Sequence, residues 1–275
     1  MKLRSLLFVP GDRPERFPKA AASGADALIL DLEDSVAIEK KAEARAAVAA
    51  WLAGERQVPC FVRVNPLDGD EIRADLDAVL GAGPDGVVLP KAEGARSVLQ
   101  LVALGVAVPI LPIATETPAA VFELGSYRDA ARHLAGLTWG AEDLPAAIGA
   151  ATSREADGSY TAPYAMVRAL TLFGAHAAGV AAIETVYPNI ADTEGLAAYV
   201  ARGRRDGFTG MMAIHPAQVA VINAGFTPSE AEAAHARAVI QAFAENLGAG
   251  ALKLDGKMID QPHLKQARAV LARLG

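Results

Sequence analysis

The sequence predicts a TIM (β/α)₈ barrel, an α/β fold, with a C-terminal extension of hairpin and helix. Three observations predict it. Eight short apolar runs, at 5–9, 27–31, 60–64, 86–90, 109–113, 137–140, 181–185 and 211–214, alternate with Ala-rich stretches of helical pattern. The chain has 275 residues, close to the roughly 250 that one such barrel takes. No run leads into the Gly-x-Gly-x-x-Gly turn that would favour the rival, an open doubly wound sheet.

Taken in order, the first run is cut short by Pro10-Gly11-Asp12-Arg13, a loop that opens a helix with Asp12 as its N-cap and Pro14 in its first turn. The run at 27–31 is followed by a helical pattern over 38–52, and the run at 60–64 by one over 71–80. The unit after the sixth run is long. It holds a loop, Ala156-Asp157-Gly158-Ser159, before a helical pattern over 162–178. Past the eighth run come a helix over 229–245, short apolar runs at 251–254 and 257–259 joined by Asp255-Gly256, and a last helix over 261–274. An Asp-Gly pair between such runs is a hairpin signal. The organisation expected is a barrel over 1–225 and an extension over 226–275 that serves as a lid or as a clasp on a neighbouring subunit.

Composition narrows the function. Hydrophobic residues make up 52% of the chain and the net charge is −6, a balance that argues against a nucleic-acid partner. The apolar N-terminal run is too short for a membrane span and has no small-residue cleavage site, so the expectation is a cytoplasmic protein with no membrane partner. The single cysteine, Cys60, falls inside an apolar run and reads as an inert buried thiol.

In barrel enzymes the reacting groups project from the C-terminal ends of the strands. Here those ends carry Asp31 and Glu33, Arg63, Lys91, Glu116, Glu142 and Asp143, Glu184, and His215. Asp34, Thr117 and Asp143 equally suit helix N-caps. A cap does not account for Arg63 or Lys91, because a cation is disfavoured at a helix N-terminus. Glu116 and Asp143 follow adjacent strands, which lie about 4.8 Å apart. Two carboxylates so placed suit one hard Mg²⁺, whose other positions go to water and substrate oxygens. The five histidines form no close pair, so zinc is disfavoured. Arg13, Arg16 and Lys19 flank the first helix and either hold phosphates at its N-terminus or form a solvated basic face, the simpler reading of those residues alone.

The same residues carry a family resemblance. Arg4-Ser5-Leu6-Leu7-Phe8-Val9-Pro10-Gly11, Leu30-Asp31-Leu32-Glu33-Asp34, Val62-Arg63-Val64-Asn65, Leu89-Pro90-Lys91, Glu116-Thr117 and Gly140-Ala141-Glu142-Asp143-Leu144 occur in order. Gly207-Phe208-Thr209-Gly210, Ile214-His215-Pro216 and Asp255-Gly256-Lys257-Met258-Ile259-Asp260 follow. Together they resemble the citrate lyase β-subunit and its CoA-ester lyase relatives, within the HpcH/HpaI aldolase superfamily that also holds malyl-CoA and citramalyl-CoA lyases. The resemblance implies a barrel with Mg²⁺ on Glu116 and Asp143 and a 2-oxo or 2-hydroxy acid chelating it. It implies that Arg63 binds the acid's carboxylate, and that Asp31, Glu33 and Lys91 stand behind these groups. Phe8, Arg13 and Lys19 would face the CoA portion, with Ile214 and His215 contributing backbone.

Read from the residues alone, Asp260 before Gln261-Pro262 is a plain N-cap. The resemblance adds a role as acid or base toward the thioester α-carbon, delivered from a neighbouring subunit of a homotrimer or hexamer. Met258 and Ile259 beside it are expected to desolvate the carboxyl and raise its pKa. The reaction implied is a retro-Claisen or retro-aldol cleavage of a citryl-, malyl- or citramalyl-type 3-hydroxyacyl thioester to a 2-oxo acid and an acyl thioester. The alternatives are a subunit of a citrate lyase complex acting on an acyl-carrier-protein thioester, and a metal-dependent pyruvate-type aldolase that does not use CoA.

Overall fold

In the computed structural model, residues 1–274 are described, and every count below refers to them. The chain divides into two compact units, in the main Leu3–Asn223 and the residues from Ala224 onward.

The first unit is a TIM barrel. Its strands are β1 (Ser5–Pro10), β2 (Ala27–Asp31), β3 (Cys60–Arg63), β4 (Gly86–Leu89), β5 (Ile110–Pro112), β6 (Gly136–Leu137), β7 (Ala181–Glu184) and β8 (Gly210–Ala213). All neighbours pair in parallel in the order β5-β4-β3-β2-β1-β8-β7-β6. The last gap, between β5 and β6, is closed by the isolated parallel bridges Ile110↔Leu134 and Ile113↔Thr138. The helices are α1 (Phe17–Ala21), α2 (Lys41–Leu52), α3 (Ile72–Val79), α4 (Gly94–Ala103), α5 (Pro118–Phe122), α6 (Asp143–Ile148), α7 (Ala162–Ala178), α8 (Thr193–Asp206) and α9 (Pro216–Phe226).

The strands form because continuous apolar runs lose the most by staying in water on either face. Leu6, Ala27, Ile29, Phe61, Val88 and Leu111 pack together at the barrel centre with 0% exposure. Gly86 has no room for a side chain there, since a Cβ would stand 2.2 Å from the Phe61 ring. Cys60 is a buried free thiol, its pKa pushed up by burial, as expected of an inert group.

Two local expectations need correction, and one stretch between β5 and β6 is new. Asp12 caps nothing: the turn Pro14–Arg16 that precedes α1 has Arg13 at its N-cap position with no side-chain bond. The sixth strand, read as 137–140, ends at Leu137, because Trp139 and Gly140 leave the ladder for side-chain partners described below. The stretch Leu124–His133 between β5 and β6 is 3₁₀-helical.

The second unit holds α10 (Glu230–Glu245), the antiparallel pair β9 (Ala251–Leu254) and β10 (Lys257–Asp260), and α11 (Gln261–Ala272). Ser229 and Glu232 form a capping box at the start of α10. The unit has its own core of Val239, Phe243, Ile259 and Leu264. Among the described residues no helix is long and apolar enough to cross a membrane.

Candidate active site

The ladder places the first pair of functional side chains. Asp31 and Arg63 are register partners on β2 and β3, so the last residues of neighbouring strands stand side by side. Arg63 donates from Nε and Nη2 to the two Asp31 oxygens, both at 2.7 Å. Its Nη1 lies 2.8 Å from Glu33 Oε2 as an ion pair, and its Cζ stands 4.9 Å from the centroid of the Phe8 ring. Of the five guanidinium N–H groups, two are committed to Asp31 and the Nη1 pair faces Glu33, so the Nη1 side of this rigid planar fork is where a second carboxylate would meet it. Burial pushes the Asp31 carboxyl up, and Arg63 more than offsets this, holding it below the usual carboxylate range. Glu33 goes the other way: burial raises it and the cations only partly compensate.

Lys91 ends β4 with φ at 50°, a left-handed conformation rare for a non-glycine residue. The turn aims its backbone N–H at Glu116 Oε2, 2.5 Å away, and its Nζ at Glu33 Oε1, 2.6 Å away. The same ammonium is 3.8 Å from Asp143. Beneath these groups lies Lys41, which sequence reasoning missed. Its buried ammonium donates to the backbone oxygens of Leu32 and Glu33 and to Asn65 Oδ1, at 2.7, 2.8 and 2.7 Å. All three of its N–H groups are satisfied, and the loop carrying Glu33 is tied to the end of β3.

A cavity of about 310 Å³ opens at this end of the barrel, lined by β1, β2, β3 and β8 and by the segments that follow β2, β5, β6, β7 and β8. Arg63, Asp31, Glu116 and Asp143 all line it, with Phe8 and Ile214. Glu142, Ser35 and Thr185 line it too; of these only Glu142 stood out in the sequence. Glu116 is 4% exposed. Burial, and then Asp143 and Glu33 nearby, push its carboxyl up to about 8, against the lowering effect of the Lys91 N–H. Thr117, next along, does cap α5, accepting from Ala120 N at 3.1 Å. Asp143 is the first residue of α6 and caps nothing.

The residues present fit a hard divalent cation. A buried carboxyl that resists ionisation, with a second carboxyl raising it further, is a site short of positive charge. Among the described residues no group of three or more His, Cys, Asp or Glu converges. Glu116 and Asp143 both line the cavity, and carboxylate oxygens without a histidine or thiolate beside them suit Mg²⁺ better than Zn²⁺.

A second cavity of about 340 Å³ lies beside the first and shares Phe8, Pro10 and Ile214 with it. Of the residues expected to face CoA, Phe8, Lys19, Ile214 and His215 line it and Arg13 does not; Arg16 does. The sequence signal for Arg16 was its place three residues before Lys19, one helical turn away.

Asp260 belongs to the second unit. It caps α11 in a reciprocal capping box with His263, and its Oδ1 lies 2.5 Å from His263 Nδ1. The expectation of a raised pKa is overturned. The His263 contact holds the carboxyl below its usual range, Met258 is 68% exposed and Ile259 turns into the unit's own core.

A barrel with buried carboxylates, an arginine braced at its C-terminal mouth and a cation-flanked annex beside them is the setting of a metal-assisted lyase. The profile of the HpcH/HpaI aldolase/citrate lyase family matches residues 4–216, and the chain belongs to that family of lyase-type enzymes. It is 40% identical over 270 residues to a citrate lyase subunit beta-like protein of Mycobacterium tuberculosis, covering 98% of this chain and 94% of the other. It is 36% identical over 278 residues to a (3S)-malyl-CoA thioesterase of Cereibacter sphaeroides, covering 98% and 94%. Among solved structures, M. tuberculosis CitE in complex with magnesium, acetoacetate and coenzyme A superposes with a TM-score of 0.84 at 36% identity, over 99% of this chain and 98% of that one. A citrate lyase beta subunit from the same organism, complexed with oxaloacetate and magnesium, has a TM-score of 0.73 at 36% identity, over 82% and 96%.

Proposed function

We propose that this chain is a Mg²⁺-dependent carbon–carbon lyase that cleaves a malyl-, citramalyl- or citryl-type CoA thioester to a 2-oxo acid and an acyl-CoA. The observation that carries the reading is one cavity shared by Glu116, Asp143 and the Asp31-braced Arg63.

Glu116 and Asp143 are the residues that would hold the metal. Magnesium bound there supplies Lewis-acid polarisation of the substrate's oxygen next to its carboxylate. Arg63 grips that carboxylate through the Nη1 side of its fork and fixes the orientation of the bond to be broken. Phe8 and Ile214 make the apolar wall between the acid-binding cavity and its annex, in which Lys19, Arg16 and the backbone at His215 meet the CoA phosphates. Asp260, contributed by a second copy of the chain in a homo-oligomer, takes up the proton that the substrate hydroxyl loses as the carbon–carbon bond breaks and gives it to the thioester α-carbon of the resulting enolate. The second unit is in this reading the clasp that delivers it.

The identity to a (3S)-malyl-CoA thioesterase supports a second reading, hydrolysis of the same thioester. One assay separates them. Malyl-, citramalyl- and citryl-CoA are incubated with and without Mg²⁺, and keto acid and free CoA are measured separately. The lyase reading expects keto acid equal to acyl-CoA with no free thiol; thiol release without keto acid identifies a thioesterase. Turnover of a carrier-protein thioester but none of the three CoA esters contradicts a free-standing CoA enzyme.

A further inference from the structure

Two of the cavity's carboxylates, Glu116 and Asp143, stand on opposite sides of the barrel's weakest join. Glu116 follows β5 and Asp143 follows β6, and β5 meets β6 only through two isolated bridges. The ladder between β6 and β7 covers two residues, Gly136↔Ala181 and Leu137↔Ala182. The segment from Thr138 to Asp143 therefore has little sheet to hold it.

Two side-chain clamps hold it instead. On the β5 side, the Thr115 hydroxyl accepts from Gly140 N at 3.1 Å and faces Gly140 O at 3.3 Å. On the β7 side, fully buried Trp139 donates from Nε1 to Glu184 Oε1 at 2.6 Å. Glu184, itself 0% exposed, is fixed by Arg168 (Nε at 2.8 Å from Oε2) and by the Tyr199 hydroxyl at 3.0 Å from Oε1. The Trp139 ring also packs edge-on against Tyr160, centroids 4.9 Å apart, from the loop that precedes α7. None of Thr115, Trp139 and Glu184 lines the cavity. Thr115 holds Gly140 and Glu184 holds Trp139, three and four positions before Asp143, and Gly140 lies against Glu116: a Cβ there would be 2.9 Å from Glu116 Cγ.

We propose that Thr115 and the Trp139–Glu184 pair are positioning residues that set the spacing of Glu116 and Asp143 across the seam, and so the affinity of the site for its cation. This rests on the reading of those two carboxylates as the metal ligands. A buried acid bound by an indole, a phenol and a guanidinium is more than packing requires, since apolar residues of the same volume would fill the space without desolvating a charge. Groups that orient metal ligands from behind change affinity by about 10–100-fold when removed.

The test is Mg²⁺ binding by calorimetry, with urea unfolding run in parallel, on Thr115→Val, Trp139→Phe, Thr115→Ser, Glu116→Gln and Asp143→Asn. Chain emission is followed in a Trp51→Phe background, which leaves Trp139 as the sole tryptophan. The expected result is a Mg²⁺ dissociation constant raised about tenfold or more in Thr115→Val and Trp139→Phe. Thr115→Ser should recover the wild-type value, and Trp139 emission should change along the binding isotherm. A purely structural role would lower the unfolding midpoint and leave the affinity of the folded protein unchanged, and that outcome overturns the proposal. If Glu116→Gln and Asp143→Asn bind as wild type, the ligand assignment itself fails. If those two lose binding while Thr115→Val and Trp139→Phe keep it, only the positioning role fails.

Discussion

Arg63 and Asp31 form a two-pronged pair across neighbouring strand ends, with both N–H···O distances at 2.7 Å and Asp31 only 1% exposed. The pair removes the guanidinium's freedom to rotate and turns its Nη1 side, which also faces Glu33, toward a ligand. Arg63→Lys keeps the charge and loses the fork, so substrate KM should rise about 10–100-fold, the equivalent of roughly 1.4–2.8 kcal/mol, with Mg²⁺ affinity little changed. Asp31→Asn leaves a buried guanidinium short of its partner and should cost about 3–5 kcal/mol in urea unfolding. Steady-state kinetics and equilibrium unfolding check the two.

The raised Glu116 carboxyl makes metal binding pH-dependent. Its folded pKa, about 8, lies above its ordinary value of 4.5, so the protonated form is the one the metal-free fold favours. That contribution to stability is complete below about pH 4.5 and is lost as pH rises through 8. A cation needs the ionised form. Apparent Mg²⁺ affinity should therefore fall about tenfold per unit as pH drops below 8. Calorimetry at pH 6, 7 and 8.5 measures it; a flat profile would place the ordinary pKa back on Glu116.

Gly140 has no room for a methyl group, because Glu116 Cγ and Oε1 occupy the space at 2.9 and 3.3 Å. The obstacle is the end of a side chain rather than backbone. Gly140→Ala should therefore displace the Glu116 carboxyl, weakening Mg²⁺ binding about tenfold or more while moving the unfolding midpoint little.

One substitution separates the capping role of Asp260 from the catalytic role proposed for it. Asn caps a helix about as well as Asp, so Asp260→Asn should keep α11 and the thermal midpoint within about 0.5 kcal/mol of wild type. Turnover should drop about 10²–10⁴-fold, the range for removing a positioned acid or base, with Mg²⁺ binding intact. Unchanged turnover would return Asp260 to a capping role alone.

Much of this was legible from the strand ends. The apolar runs located the eight strands to within a few residues, since a buried parallel strand is a continuous apolar stretch whose boundary is where charge begins. That same boundary exposed Asp31, Arg63, Lys91, Glu116 and Asp143. What the chain order hid were partnerships that only the closed barrel creates. Lys41 meets Asn65, and Trp139 meets Glu184, across 24 and 45 residues, and no local pattern marks them. The shortened β6 follows from the same cause, because Gly140 bonds the Thr115 hydroxyl where a ladder was expected. The pKa of Asp260 was misjudged because alternation along β10 sends Ile259 inward and Met258 outward, leaving His263, one turn into the helix, as the group that sets it.

The central claim is that Glu116 and Asp143 share one divalent cation, and anomalous scattering tests it most directly. Crystals soaked in Mn²⁺, a scattering surrogate for Mg²⁺, should give one strong difference peak bridged by the two carboxylates beside Arg63. A peak elsewhere, or none on those oxygens, contradicts the account.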